Sequence, residues 1–198
     1  NTDQLLERIK SVWMSFWLIR GLLYRNSRII RQGPIKPAVV VQKMFDSQVS
    51  GVMFTTDPVS GRDVIVIEAG YGLGEGVVSG LVDVDRYYVN KFDGSVIDMH
   101  IGKKAFKVAP HPSGKGTAIE PVDSDLRDVP CLKKEDIKIK VALALEEYYA
   151  LSQDIEFGIA DGKLSILQTR PITTRLSGER AFPLAEQSRG RDQSTAEA

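Results

Sequence analysis

Asp154-Ile155-Glu156-Phe157-Gly158-Ile159 is followed by Leu164-Ser165-Ile166-Leu167-Gln168-Thr169-Arg170-Pro171, and together they read as a β-hairpin. Both runs alternate apolar and polar residues, and Asp161-Gly162 between them has the chemistry of a tight turn. Glu156 stands between Ile155 and Phe157, while Gln168 and Arg170, two residues apart, share a face. An acid, an amide and a guanidinium in otherwise apolar strands are the groups that hold a metal ion and a chain of phosphates.

The turn decides whether the acid joins the amide. A two-residue Asp-Gly turn pairs Ala160 with Lys163 and sets Glu156 opposite Leu167, with Gln168 on the other face. An odd loop, for example three residues ending at Gly162 with a bulge, gathers Glu156, Gln168 and Arg170 on one face. The same pattern also fits an exposed antiparallel hairpin with one polar face.

Composition surrounds this hairpin with an ordinary globular chain. Its 198 residues suit one domain, or one domain with trailing segments, and 42% are hydrophobic and 26% charged. Formal net charge is zero, so no overall field argues for nucleic acid or a membrane as partner. Residues 1–43 differ, with eight basic residues from Arg8 to Lys43 against Asp3 and Glu7, a local +6. That run suits a solvated helix face or a surface for phosphates. The one cysteine, Cys131, can close no internal disulfide and has no metal-binding pattern around it, which fits a reducing, cytoplasmic home. No signal-peptide pattern is visible in this sequence, and the apolar run from Val12 to Tyr24, broken by Arg20, is too short for a bilayer.

Upstream of the hairpin, Thr2 or Asp3 can cap a helix with apolar residues from Leu5 through Trp13, Phe16 and Trp17 towards Leu23. Ala38-Val39-Val40-Val41-Gln42-Lys43-Met44-Phe45 reads as a strand buried on both faces. Gln42 is its anomaly, because an unpartnered buried amide costs about 1–3 kcal/mol; it calls for a hydrogen-bonding neighbour or a ligand. Residues 49–56 and 63–68 read as further strands, joined by a turn at Asp57-Pro58 that closes at Ser60-Gly61. The glycines from Gly70 to Gly80 lack the lysine of a phosphate loop, and close backbone packing is their default explanation. A second hairpin turns at Phe92-Asp93-Gly94. Residues 108–131 look like a mobile connection, and Lys134 to Leu151 like an amphipathic helix leading into the closing hairpin. Beyond Thr174 the chain turns polar, so 175–198 is expected to be a linker or a disordered tail.

Four of these pieces occur in a particular order. They are Val39-Val40-Val41-Gln42-Lys43-Met44, then Ser50-Gly51-Val52-Met53-Phe54-Thr55-Thr56-Asp57-Pro58, then Gly72-Leu73-Gly74-Glu75-Gly76-Val77-Val78-Ser79-Gly80, then the closing hairpin. The set resembles the nucleotide-binding domain shared by phosphoenolpyruvate synthase (pyruvate, water dikinase), pyruvate phosphate dikinase and rifampin phosphotransferase, over roughly residues 5–174. The resemblance implies an α+β, ATP-grasp-like fold, with a mainly antiparallel sheet, flanking helices and ATP between two lobes. It implies Mg²⁺ on Glu156 and Gln168, phosphate contact and a catalytic role for Arg170, and Gln42 beside the base of ATP, and so favours the odd loop, which gathers Glu156, Gln168 and Arg170 on one face.

By the same resemblance, 1–174 is a partial domain whose first lobe would precede Asn1. The swivelling phosphohistidine domain and the pyruvate-binding barrel of the parent enzyme would follow it. His100 and His111, the only histidines, lie in no sequence like the family's phosphohistidine loop. The implied reaction passes the β-phosphoryl group of ATP to a histidine and then to pyruvate, giving phosphoenolpyruvate, AMP and phosphate. A chain of this extent is then the Mg-ATP-binding portion of a kinase with paired acceptors, inactive by itself. A rifampin phosphotransferase or pyruvate phosphate dikinase fragment, or a binding module without catalysis, are the alternatives.

Overall fold

A computed structural model describes residues 2–19, 21–23 and 37–172, apart from the side chain of Glu135. The expected tail at 175–198 lies outside the described residues. The chain divides into two compact units, 1–44 and 45–198.

In the first unit, α1 spans Thr2–Ser15 and buries none of its residues. It ends sooner than its apolar spacing predicts, because tight turns take over: Phe16 N–H donates to Trp13 O and Trp17 N–H to Met14 O. Trp13 and Trp17 are 50% and 70% exposed. The run from Ala38 to Phe45 corrects the expectation of a doubly buried strand. It forms no strand, and Val40, Val41 and Met44 are exposed. Apolar composition supplies a β-preference, but a strand exists only where a neighbour completes its hydrogen bonds, and no described strand does so here.

The second unit is built on a six-stranded antiparallel sheet. Its strands are β1 (Val49–Phe54), β2 (Ile65–Tyr71), β3 (Asp85–Val89), β4 (Val96–His100), β7 (Gln153–Ala160) and β8 (Lys163–Pro171). Their order is β4-β3-β2-β1-β7-β8. Register places Met53 opposite both Ile67 and Ile155, and Ile67 opposite Tyr87, so odd-numbered residues of the inner strands share one face. That face carries the core, where Tyr87, Phe157, Ile65, Ile67 and Ile155 are essentially fully buried with Cys131, Leu132 and Ala142. Each large apolar side chain so buried contributes about 1.5–3 kcal/mol. Ala142 belongs to α3 (Ile139–Tyr149), which follows a short 3₁₀ turn at Lys134–Asp136; α2 is the five-residue helix Gly74–Val78.

Residues 108–131 are more ordered than their composition predicts. β5 (Phe106–Pro110) and β6 (Thr117–Pro121) pair as a separate two-stranded sheet. The segment is then pinned by Asp85, which with Lys104 is 0% exposed. Lys104 Nζ lies 2.6 Å from Asp85 Oδ1, while Tyr87 Oη and the Cys131 N–H donate to Oδ2. A buried ion pair needs further hydrogen bonds around it, and here the Gly102 N–H donates to Asp85 Oδ1 while Lys104 Nζ also donates to Gly102 O. Burial beside the Asp85 carboxylate pushes the Cys131 thiol well up, so it stays protonated and unreactive. The glycine run does serve backbone packing. Gly72 has φ +83°, and a Cβ there would lie 2.2 Å from Val108 O, while the next N–H, of Leu73, donates to that same oxygen at 2.7 Å.

Candidate functional site

The closing hairpin turns on two residues. Asp161 and Gly162 both have positive φ, 50° and 69°, the mark of a type I′ turn, and Ala160 pairs with Lys163. The odd loop favoured by the resemblance is therefore absent. The apposition of Glu156 with Gln168 is nevertheless present, made by a different device. Phe157 faces Ile166, but Glu156 faces Gln168, so Leu167 is an extra residue in β8 and the register shifts there. A bulge of this kind changes which residues face one another from that point on.

Below the bulge two polar pairs stand side by side. Gln168 Nε2 donates to Glu156 Oε1 at 3.3 Å. One step further, Asp154 faces Arg170, and its Oδ2 accepts from Arg170 Nε at 2.8 Å and lies 2.7 Å from Nη2. Asp154 is nine-tenths buried, and its Oδ1 has no hydrogen-bond partner among the described residues. Strand periodicity puts Asp154, Glu156 and Gly158 on the face opposite the core.

Neighbouring elements shape that face. A Cβ on Gly158 would lie 2.3 Å from Ser47 Oγ and 2.8 Å from the Phe45 ring, so residues 45–47 cross directly over β7. α2 covers the next strands at the same level, with Val77 over Gly70 and Gly74 over Ser50. Past this rim the register continues as a row, Gln168–Glu156–Val52–Glu68–Arg86, in which Arg86 Nε donates to Glu68 Oε1 at 2.8 Å. The result is a sheet face roofed at one end, with polar residues towards its two edges and the buried Val52 and Val66 between them.

Glu156, Gln168 and Arg170 are thus brought together. Gln42 lies in the first unit, where it is exposed, so the desolvation argument made for it from sequence does not apply. Sequence reasoning passed over Asp154, although its two-residue spacing from Glu156 on one strand was the available signal. Among the described residues no three His, Cys, Asp or Glu side chains cluster as a metal site. The oxygen donors of the facing pair are one carboxylate, Glu156, and one amide, Gln168. That set fits Mg²⁺, which takes oxygen ligands, commonly one or two carboxylates, and shares the rest with phosphate and water.

Sequence comparison places the chain in a family. Residues 1–190 match the family described as pyruvate phosphate dikinase, AMP/ATP-binding domain. A probable phosphoenolpyruvate synthase of Archaeoglobus fulgidus is 39% identical over 174 residues, covering 87% of this chain and 23% of that protein. The phosphoenolpyruvate synthase of Pyrococcus furiosus is 38% identical, covering 87% and 22%. A rifampicin phosphotransferase of Bacillus subtilis is 36% identical, covering 94% and 21%. The chain belongs to the pyruvate phosphate dikinase AMP/ATP-binding domain family. It spans about a fifth of the length of these curated relatives.

Proposed function

We propose that this chain is the Mg-ATP-binding portion of a phosphoenolpyruvate synthase-type dikinase, with residues 1–174 forming part of an ATP-grasp domain. The observation that carries the reading is the apposition of Glu156 with Gln168, one step from Arg170, on a single open sheet face. Glu156 and Gln168 would hold the magnesium ion, which when bound neutralises charge on the phosphates. Arg170 grips a phosphate through its planar fork. Gln42 would contact the base. Chemistry of this kind asks the protein mainly to position groups and balance charge.

The phosphoryl group would pass to a histidine on a swivelling domain of the parent enzyme and from there to pyruvate. The Bacillus subtilis relative is named for rifampicin, which supports an ATP-binding domain that can be joined to different acceptors. The full-length protein, given ATP labelled at the β-phosphate, should form a phosphohistidine only with magnesium present and Glu156 intact. Label transfer that survives Glu156→Ala unchanged would refute the assignment. Residues 1–198 by themselves should give no phosphoenolpyruvate from ATP and pyruvate.

A further inference from the structure

The reading above gives Asp154 no task, yet it is the most firmly held carboxylate of the hairpin. It is the register partner of Arg170, and a single oxygen of it, Oδ2, meets both Nε and Nη2. A guanidinium carries five N–H donors in one rigid plane. Contact through Nε and one terminal nitrogen fixes the rotation of that plane and leaves three donors uncommitted. The Arg170 side chain is 60% exposed against 11% for Asp154, so a buried anchor holds a largely open head.

We propose that Asp154 is the positioning residue of this site, holding the Arg170 guanidinium in the orientation that receives the phosphate chain of a nucleoside triphosphate. The inference rests on the nucleotide reading given above. An arginine fixed before the ligand arrives loses less side-chain freedom on binding, and its fork meets the phosphate without a search. The register shift at Leu167 makes the arrangement possible, because it brings Arg170 opposite Asp154.

The test is a titration of the full-length protein with ATP and with AMP, both in magnesium, for wild type, Asp154→Asn, Arg170→Ala and the double variant. Asp154→Asn should weaken ATP about tenfold and leave AMP within about twofold; Arg170→Ala should do the same, and the double variant should be no worse than either. Arg170→Lys, which keeps the charge but not the fork, should reproduce the loss. ATP affinity untouched by Asp154→Asn would overturn the proposal. So would single losses that multiply in the double variant, which would make Asp154 an independent ligand. ATP and AMP weakening together would reduce Asp154 to a structural partner and overturn it as well. A wild-type protein that binds neither ATP nor AMP would instead remove the nucleotide reading, and this inference with it.

Discussion

Glu156 on β7 stands directly opposite Gln168 on β8, with the amide donating to the carboxylate across 3.3 Å. A long, partly solvated contact of this kind adds little stability, about 0.5–1.5 kcal/mol at most. Glu156→Ala should therefore shift the unfolding free energy by no more than about 1.5 kcal/mol. Mg-ATP binding in the full-length protein should fall by tenfold or more. Urea denaturation and calorimetric titration measure the two effects separately.

Arg170 and Gln42 should separate phosphate from base. Arg170→Ala is expected to lower ATP affinity while leaving adenosine binding unchanged, because a guanidinium fork grips phosphate and not adenine. Gln42→Ala should weaken ATP and adenosine alike. Equilibrium dialysis with the two ligands reads the difference.

The hairpin shows how far sequence carries and where it stops. The strands, the Asp161-Gly162 turn and the candidate residues Glu156, Gln168 and Arg170 follow from alternation and turn chemistry. The bulge at Leu167 does not, since no residue type marks it; it arises from how β8 seats against β7. Residues 108–131 misled for another reason. Their order comes from the β5–β6 pairing and from distant Asp85, which accepts from the Cys131 N–H across 46 positions of sequence. The run at 38–45 differs in the opposite direction, because its strand propensity meets no neighbouring strand among the described residues.

Asp85 gives the third prediction. Asp85→Ala would leave the Lys104 ammonium fully buried without its counter-charge, a loss of about 3–5 kcal/mol. Denaturant unfolding should show it, and the Cys131 thiol, protected in the native chain, should then react readily with iodoacetamide.

Asp57 gives a prediction about pH. Burial alone would raise its carboxyl, but the Ser60 hydroxyl, the N–H groups of Val59 and Ser60, and the charge of Arg62 outweigh that and hold it below its ordinary value. A carboxyl whose pKa is lowered by folding adds stability above its unfolded value of about 3.9, and that stability drains away as pH falls through the lower folded value. The wild-type chain should thus lose stability on acidification below about pH 4 more steeply than Asp57→Asn. Melting temperatures from pH 6 down to pH 2.5 measure the two slopes.

The most direct test of the magnesium assignment is a crystal structure of the full-length protein with ATP and Mn²⁺ in place of Mg²⁺. Anomalous scattering should place an ion bound by side-chain oxygens of both Glu156 and Gln168, at the roughly 2.1 Å typical of such ligands. A metal bound to the nucleotide elsewhere, with Glu156 and Gln168 still bonded only to each other, would contradict it.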